Sequence, residues 1–203
     1  MKLYLLRHGR TRWNEEGKLQ GRTDVPLNEE GRAGALRARE ELRHVPFSAV
    51  FSSPLSRARE TAEIIAAGKA AVTTDERLLE LRFGAAEGMD IFSLPPEERP
   101  TYLLFSDPAR YVPPAGGERW DELLTRCGAF LHDVILPGEG RWEHVLIVAH
   151  GGAVRGLFGA MFGPRAGEIY GRRVQKNCAV NIVDCTGGTF SPVQIAREYC
   201  EGV

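Results

Sequence analysis

Several chemistries open to a chain of this size are poorly provided for in its sequence. Cysteine is sparse: Cys127, Cys178, Cys185 and Cys200 form no C-x-x-C pair and no Cys/His cluster at zinc spacing, which leaves them as core or surface thiols. Charge of one sign is lacking too. A formal net charge of -1 gives no globally basic surface for nucleic acid, so an anion would have to be held by a few arginines gathered locally. No stretch approaches the roughly 18 uninterrupted apolar residues of a membrane span, and the N-terminus lacks the apolar core of a secretory signal. The expectation is a cytoplasmic protein with neither membrane nor nucleic acid as partner. Internal repeats and low-complexity tracts are absent.

What is present is an ordinary globular composition: 203 residues, 43% apolar and 26% charged, enough for a single domain over 1–203 with a real core. Two apolar runs stand out. Leu3-Tyr4-Leu5-Leu6 breaks into Arg7-His8-Gly9, and Val145-Leu146-Ile147-Val148-Ala149 breaks into His150-Gly151-Gly152. Runs without polar alternation suit central strands of a parallel sheet covered on both faces. Ligands of such sheets bind beyond the carboxyl ends of the strands, where following helices present their N-termini. His8 and His150 are therefore predicted on that rim, side by side.

Between the runs, Asn28 is a predicted N-cap for a surface helix over 29–43 with Ala33, Leu36 and Leu42 as its apolar positions. A strand within 47–53 ends in Ser52-Ser53-Pro54, read as a cap and first-turn proline for a helix over 55–66. Arg57 then sits in the first helical turn facing the rim, and Arg59, two positions on, points to solvent. A weak strand over 71–73 follows. The segment 89–116 is rich in proline, which does not extend a sheet; it is predicted to fold over the site as a cap, most of Trp13, Phe83, Phe92, Tyr102, Phe105, Tyr111 and Trp120 anchoring it to the core. A long helix over 119–135, a buried helix over 153–162 and a closing pair of strands around Gly187-Gly188 complete the chain.

Arg7, His8, Arg57, Glu80 and His150 each fall where a strand ends, a helix begins or a loop returns to the rim. Together they describe a phosphoryl-transfer site without a metal. Imidazole can split a hard displacement into two easier ones through a covalent intermediate, and the transferred group needs cations around its equatorial oxygens. A carboxyl near the leaving oxygen would serve as general acid. Glu80, flanked by Leu78, Leu79 and Leu81, is the candidate, since partial burial raises a carboxyl pKa; Glu76 and Glu87 are the alternatives. His44, His132 and His144 read as surface or helix-end residues.

These residues also carry a family resemblance. Arg7-His8-Gly9 with Thr11, Trp13-Asn14 and Gln20-Gly21, then Ser52 to Ala62, Leu79-Glu80 through Glu87-Gly88, and Val148 to Gly152, resembles in order the motifs of the histidine phosphatase superfamily, the phosphoglycerate mutase-like proteins. The resemblance implies an α/β fold, a three-layer α/β/α sandwich with a mainly parallel sheet. It implies that His8 is the residue phosphorylated, that Arg7, Arg57 and His150 hold the phosphoryl group, and that Glu80 protonates the leaving oxygen. Asn14, Gln20, Gly21 and Gly151 fall where the family lines its substrate pocket. No cofactor or metal is implied.

Glu80-Leu81-Arg82-Phe83-Gly84 is similar to the phosphatase branch, which includes α-ribazole phosphatases and broad-specificity enzymes, and Asp107-Pro108 to Glu118 also resembles the α-ribazole phosphatase pattern. The expected partner is a small phosphate ester, α-ribazole 5'-phosphate among them; a phosphoglycerate mutase and a non-catalytic phosphate-binding module are the alternatives. The oligomeric state stays open, a homodimer included. Arg10, Ala86 and Arg119 depart from the family pattern and are expected to alter charge and size near the pocket mouth.

Overall fold

The computed structural model describes residues 1–163, 166–171 and 174–198. Six strands form one sheet: β1 (Lys2–Arg7), β2 (Ala49–Ser52), β3 (Val72–Thr74), β4 (His144–Ala149), β5 (Val180–Thr186) and β6 (Thr189–Arg197). Seven α-helices accompany them among the described residues: α1 (Arg12–Glu15), α2 (Glu29–Glu41), α3 (Ser56–Ala66), α4 (Tyr102–Ser106), α5 (Trp120–Phe130), α6 (Gly151–Phe162) and α7 (Ala166–Tyr170). The strand order is β3-β2-β4-β1-β5-β6. β3, β2, β4 and β1 run parallel to one another, while β5 pairs antiparallel with β1 and β6 antiparallel with β5.

The two apolar runs are the central strands, and their lack of alternation has a direct cause. Leu3, Leu5, Val145 and Ile147 face one core with Leu123, Phe130 and Leu157, from α5 and α6. Tyr4, Leu6, Leu146 and Val148 face a second core with Ala38, Ala62 and Ile65, from α2 and α3. Helices on both faces of the sheet make the three layers, so a strand needs apolar side chains at every position. At Gly156 a Cβ would lie 2.8 Å from Leu123 Cγ; the missing side chain is what lets α5 and α6 approach so closely.

Three local expectations need correction. On α2 the buried positions are Gly31, Ala35 and Ala38, whereas Leu36 is exposed. The helix lies too close for a leucine: a Cβ on Gly31 would sit 2.1 Å from the Arg10 carbonyl oxygen. Asn28 does cap it, accepting from the Gly31 N–H. The start of α3 has no serine cap. Leu55 occupies that position, and the carboxylate of Asp24 accepts from the Ser56 N–H and hydroxyl instead. His144 begins β4 half-buried against the Tyr4 ring, where a surface position was expected. Cys127, Cys178 and Cys185 are buried free thiols; Cys200 lies outside the described residues. No helix among those residues is long and apolar enough to cross a membrane.

Candidate active site

The parallel register pairs Arg7 with Ala149, and the His8 N–H donates to the Ala149 carbonyl. The next residue on each strand is therefore a histidine beside a histidine, with ring centroids 5.0 Å apart. His8 Nδ1 lies 2.7 Å from the Gly9 carbonyl oxygen. A carbonyl only accepts, so Nδ1 carries the proton and Nε2 keeps its lone pair. Burial, reinforced by Arg57 and Arg7, holds the His8 pKa well below the usual imidazole range, so the ring is neutral and nucleophilic. Its backbone is pinned as well: the Gly9 N–H donates to Thr61 Oγ1, and Asn177 Nδ2 donates to the His8 carbonyl.

His150 is oriented by Ser53, whose Oγ lies 2.8 Å from Nε2. The same Oγ accepts from the Leu55 N–H at 3.4 Å. If the serine donates its proton to Nε2, only the Nδ1–H of His150 is left without a partner. The opposite arrangement strands both a hydroxyl proton and a buried Nδ1 lone pair, at a cost of a further unsatisfied group. His150 is accordingly an Nδ1–H donor, kept neutral by burial and by Arg57.

Arg57 is fully buried in the first turn of α3. Its Nη1 and Nη2 donate to the carbonyls of Thr23 and Gly21 at 2.9 and 2.8 Å. Burial lowers its pKa to about 10, which leaves it charged at neutral pH. Arg7 Nη1 donates to the Gln175 carbonyl at 2.6 Å.

Glu80 is buried at the N-terminus of α6. One oxygen accepts from the N–H groups of Leu81 and Ala153, the other from Gly152, so it caps a helix whose N-cap residue, His150, makes no cap bond of its own. A Cβ on Gly152 would sit 2.6 Å from Glu80 Oε1; glycine leaves the room. Burial raises the Glu80 pKa, against the pull of these N–H groups and of Arg57. The segment is braced from behind by Arg126, which donates to the Leu79 carbonyl and pairs with Glu118 at 2.6 Å.

Around His8 four buried donors have no partner: Arg7 Nε, Arg57 Nε, Gln20 Nε2 and His150 Nδ1. They make up four of the seven such side-chain atoms among the described residues. Buried polar groups are nearly always satisfied, so a concentration of bare donors beside a nucleophilic imidazole describes a seat for an anion. Among the described residues no group of His, Cys, Asp and Glu side chains is arranged to hold a metal ion.

Arg7, His8, Asn14, Gln20, Glu80 and Gly151 line a single cavity of about 1070 Å³. Arg57, His150 and Gly21 are not among the lining residues; the Gly21 carbonyl holds Arg57, and a Cβ on Gly21 would collide with the Glu87 carboxylate. Of the alternatives to Glu80, Glu76 is exposed, and Glu87 accepts from Arg22, Thr23 and Phe83, fixing the loop whose carbonyls grip Arg57. Phe83, Phe105 and Tyr111 are buried in the core and Trp120 packs against it, as expected for most of the set, while Trp13, Phe83, Phe92, Tyr102 and Phe105 line the cavity. Of the three departures from the family pattern only Arg10 reaches the cavity, paired with Glu30. Ala86 is in the core and Arg119 bonds Asp121 and Glu122 beside α5. Sequence reasoning missed Ser53, Thr61, Gln175 and Asn177. The Asn177-Cys178 step, with Cys178 at a φ of 59°, is a tight turn whose polar member is the one signal that was there to find.

The model of the histidine phosphatase superfamily (branch 1) matches residues 3–197. Phosphoglycerate mutase-like protein 4 of Arabidopsis thaliana is 37% identical over 200 residues, spanning 95% of this chain and 83% of that one. The solved structure of Bacillus stearothermophilus YhfR superposes with a TM-score of 0.82 at 34% identity, covering 95% of each chain. A mycobacterial glucosyl-3-phosphoglycerate phosphatase, solved in complex with VO3, gives a TM-score of 0.84 at 27% identity over 96% of this chain and 98% of that one.

Proposed function

This chain belongs to the histidine phosphatase superfamily, and on that premise we propose that it hydrolyses small phosphate monoesters through a phosphorylated His8. The observation that carries the reading is the set of four unpartnered buried donors around a neutral imidazole whose Nε2 is free. In the first step His8 Nε2 attacks phosphorus, the P–O ester bond breaks, and Glu80 gives its proton to the departing oxygen. Arg7, Arg57, Gln20 and the His150 Nδ1–H hold the equatorial oxygens, where charge must be stabilised. Water then attacks the phosphohistidine as Glu80 takes its proton, the N–P bond breaks, and inorganic phosphate leaves. Asn14 and Gly151 shape the wall. The segment 89–116 acts as the cap of one catalytic unit.

α-Ribazole phosphate is one ester this site would take. The Asp107 to Glu118 pattern is a poor guide to it, since Glu118 is a buried partner of Arg126 and Arg22. A mutase is the second reading, favoured by the mutase-like relative. Phosphoryl return to substrate requires water to be kept out, and Phe92 at the cap is 64% exposed, which favours hydrolysis. Release of inorganic phosphate from an aryl phosphate, measured with a chelator present, tests the proposal. Turnover abolished in His8→Ala is the expected result. Phosphoryl transfer confined to a bisphosphorylated primer would replace the phosphatase by the mutase.

A further inference from the structure

Seven large hydrophobic residues are exposed among the described residues, and three of them share one cavity. Phe92, Tyr102 and Val174, 64%, 43% and 44% exposed, all line the cavity that holds His8. Ile91, Trp13 and the buried Phe83 and Phe105 continue the same apolar wall inward. Phe83 follows Glu80 by three residues, so the wall starts beside the group that faces the departing oxygen. Apolar surface left open on a protein and continuous with a reactive site calls for an apolar ligand.

Three of the cations around the same mouth sit in ion pairs. Lys18 pairs with Glu16, Arg10 with Glu30 and Lys176 with Glu198. Arg99 donates to the Leu94 carbonyl and lies over the Phe92 ring. Arg37 stands across the cavity on α2, exposed beside Cys178. Segment 89–116 contributes rings and a single cation, Arg99, to the cavity.

We infer that the cap wall is a subsite for the alcohol portion of the substrate, and that the site prefers monoesters of apolar, ring-bearing or long alkyl alcohols over phosphates carrying a second anionic group. The inference rests on the phosphatase reading and sharpens it to a substrate class. It places the enzyme after a step that phosphorylates, or releases the phosphorylated form of, an apolar alcohol.

A homologous series of alkyl phosphates tests this, because ethyl, butyl and hexyl esters have nearly the same leaving-group pKa and differ only in apolar surface. Each methylene taken fully out of water is worth about fourfold. Partial burial on an open wall gives hexyl phosphate a kcat/KM on the order of tenfold above ethyl phosphate, and 3-phosphoglycerate falls below both. In Phe92→Ala/Tyr102→Ala the hexyl-to-ethyl ratio collapses toward one, a ratio that partial misfolding leaves unmoved. A flat series in the wild type with phosphate still released, or a preference for 3-phosphoglycerate, overturns the subsite and leaves the phosphatase standing, the latter outcome assigning a second anion to Arg37. No phosphate from any ester overturns both.

Discussion

The two ends of the cavity are built by different rules. At the inner end most working side chains are fixed by the backbone, His8 by Gly9, Arg7 by Gln175, Arg57 by Gly21 and Thr23, Glu80 by three N–H groups, while the Ser53 hydroxyl holds His150. At the outer end the rings of Phe92, just before Pro95, and of Tyr102, at the start of the short helix α4, stand exposed. That segment is tied down through Leu104 and Phe105 in the core and through Arg155, which donates to the carbonyls of Phe105 and Gly171. Phosphoryl transfer needs its groups placed to within about 0.5 Å, and the loop carbonyls of Gly9, Gly21, Thr23 and Gln175 with the N–H groups at the start of α6 give that. Grip on a leaving group tolerates a looser wall, since burial of apolar area has no direction.

If the inner end is the chemical one, the largest effect comes from His8→Ala, expected to lower kcat on the order of 10⁴-fold or more while circular dichroism stays native. Glu80→Gln comes next. A lost general acid costs about 10² to 10⁴-fold, and the loss is greatest for alkyl esters and least for 4-nitrophenyl phosphate, whose leaving oxygen needs no proton.

The pH profile separates these roles. In the proposed mechanism turnover requires His8 neutral and Glu80 protonated. The His8 pKa is lowered by burial, so activity is expected to fall only when pH drops through that depressed value. The Glu80 pKa is raised by burial, so activity is expected to fall as pH climbs through that elevated value. The optimum is expected between the two, and the alkaline limb to disappear in Glu80→Gln. An alkaline limb retained in that variant would remove Glu80 from the role.

Smaller effects test the supports. Ser53→Ala is expected to lower kcat roughly tenfold by the loss of one buried hydrogen bond, with Ser53→Thr recovering most of it. The ¹⁵N shifts of His150 should move away from the Nδ1–H tautomer in the alanine variant alone. Arg155→Met loosens the outer wall only, so a rise in KM of a few fold for hexyl phosphate is expected with kcat for ethyl phosphate held. A matching fall in kcat for both esters would mean that the two ends are not separable.

How far the sequence revealed this site follows from what kind of force places each group. β1 and β4 were legible because unbroken apolar runs have one economical place in a sheet, and their register carries His8 and His150 to the same rim. Arg57 was legible from its position just after the Ser-Ser-Pro step. The buried face of α2 was not, because hydrophobicity weights Leu36 above Gly31 and Ala35 when close packing wants the smaller residue. Gln175 and Asn177 act on Arg7 and His8 across about 168 residues of chain through single hydrogen bonds, and no periodicity announces such a contact. Which aromatics of segment 89–116 line the cavity was hidden for a related reason, since a proline-rich segment has no repeat from which to read a face.

The central claim is that phosphorus passes through His8 on its way to water. The stereochemical course at phosphorus tests it most directly, using an aryl phosphate made chiral by oxygen isotopes and a simple alcohol as acceptor in place of water. Two successive in-line displacements, onto His8 and off it, predict overall retention of configuration. Overall inversion would mean a single direct displacement and would contradict the account.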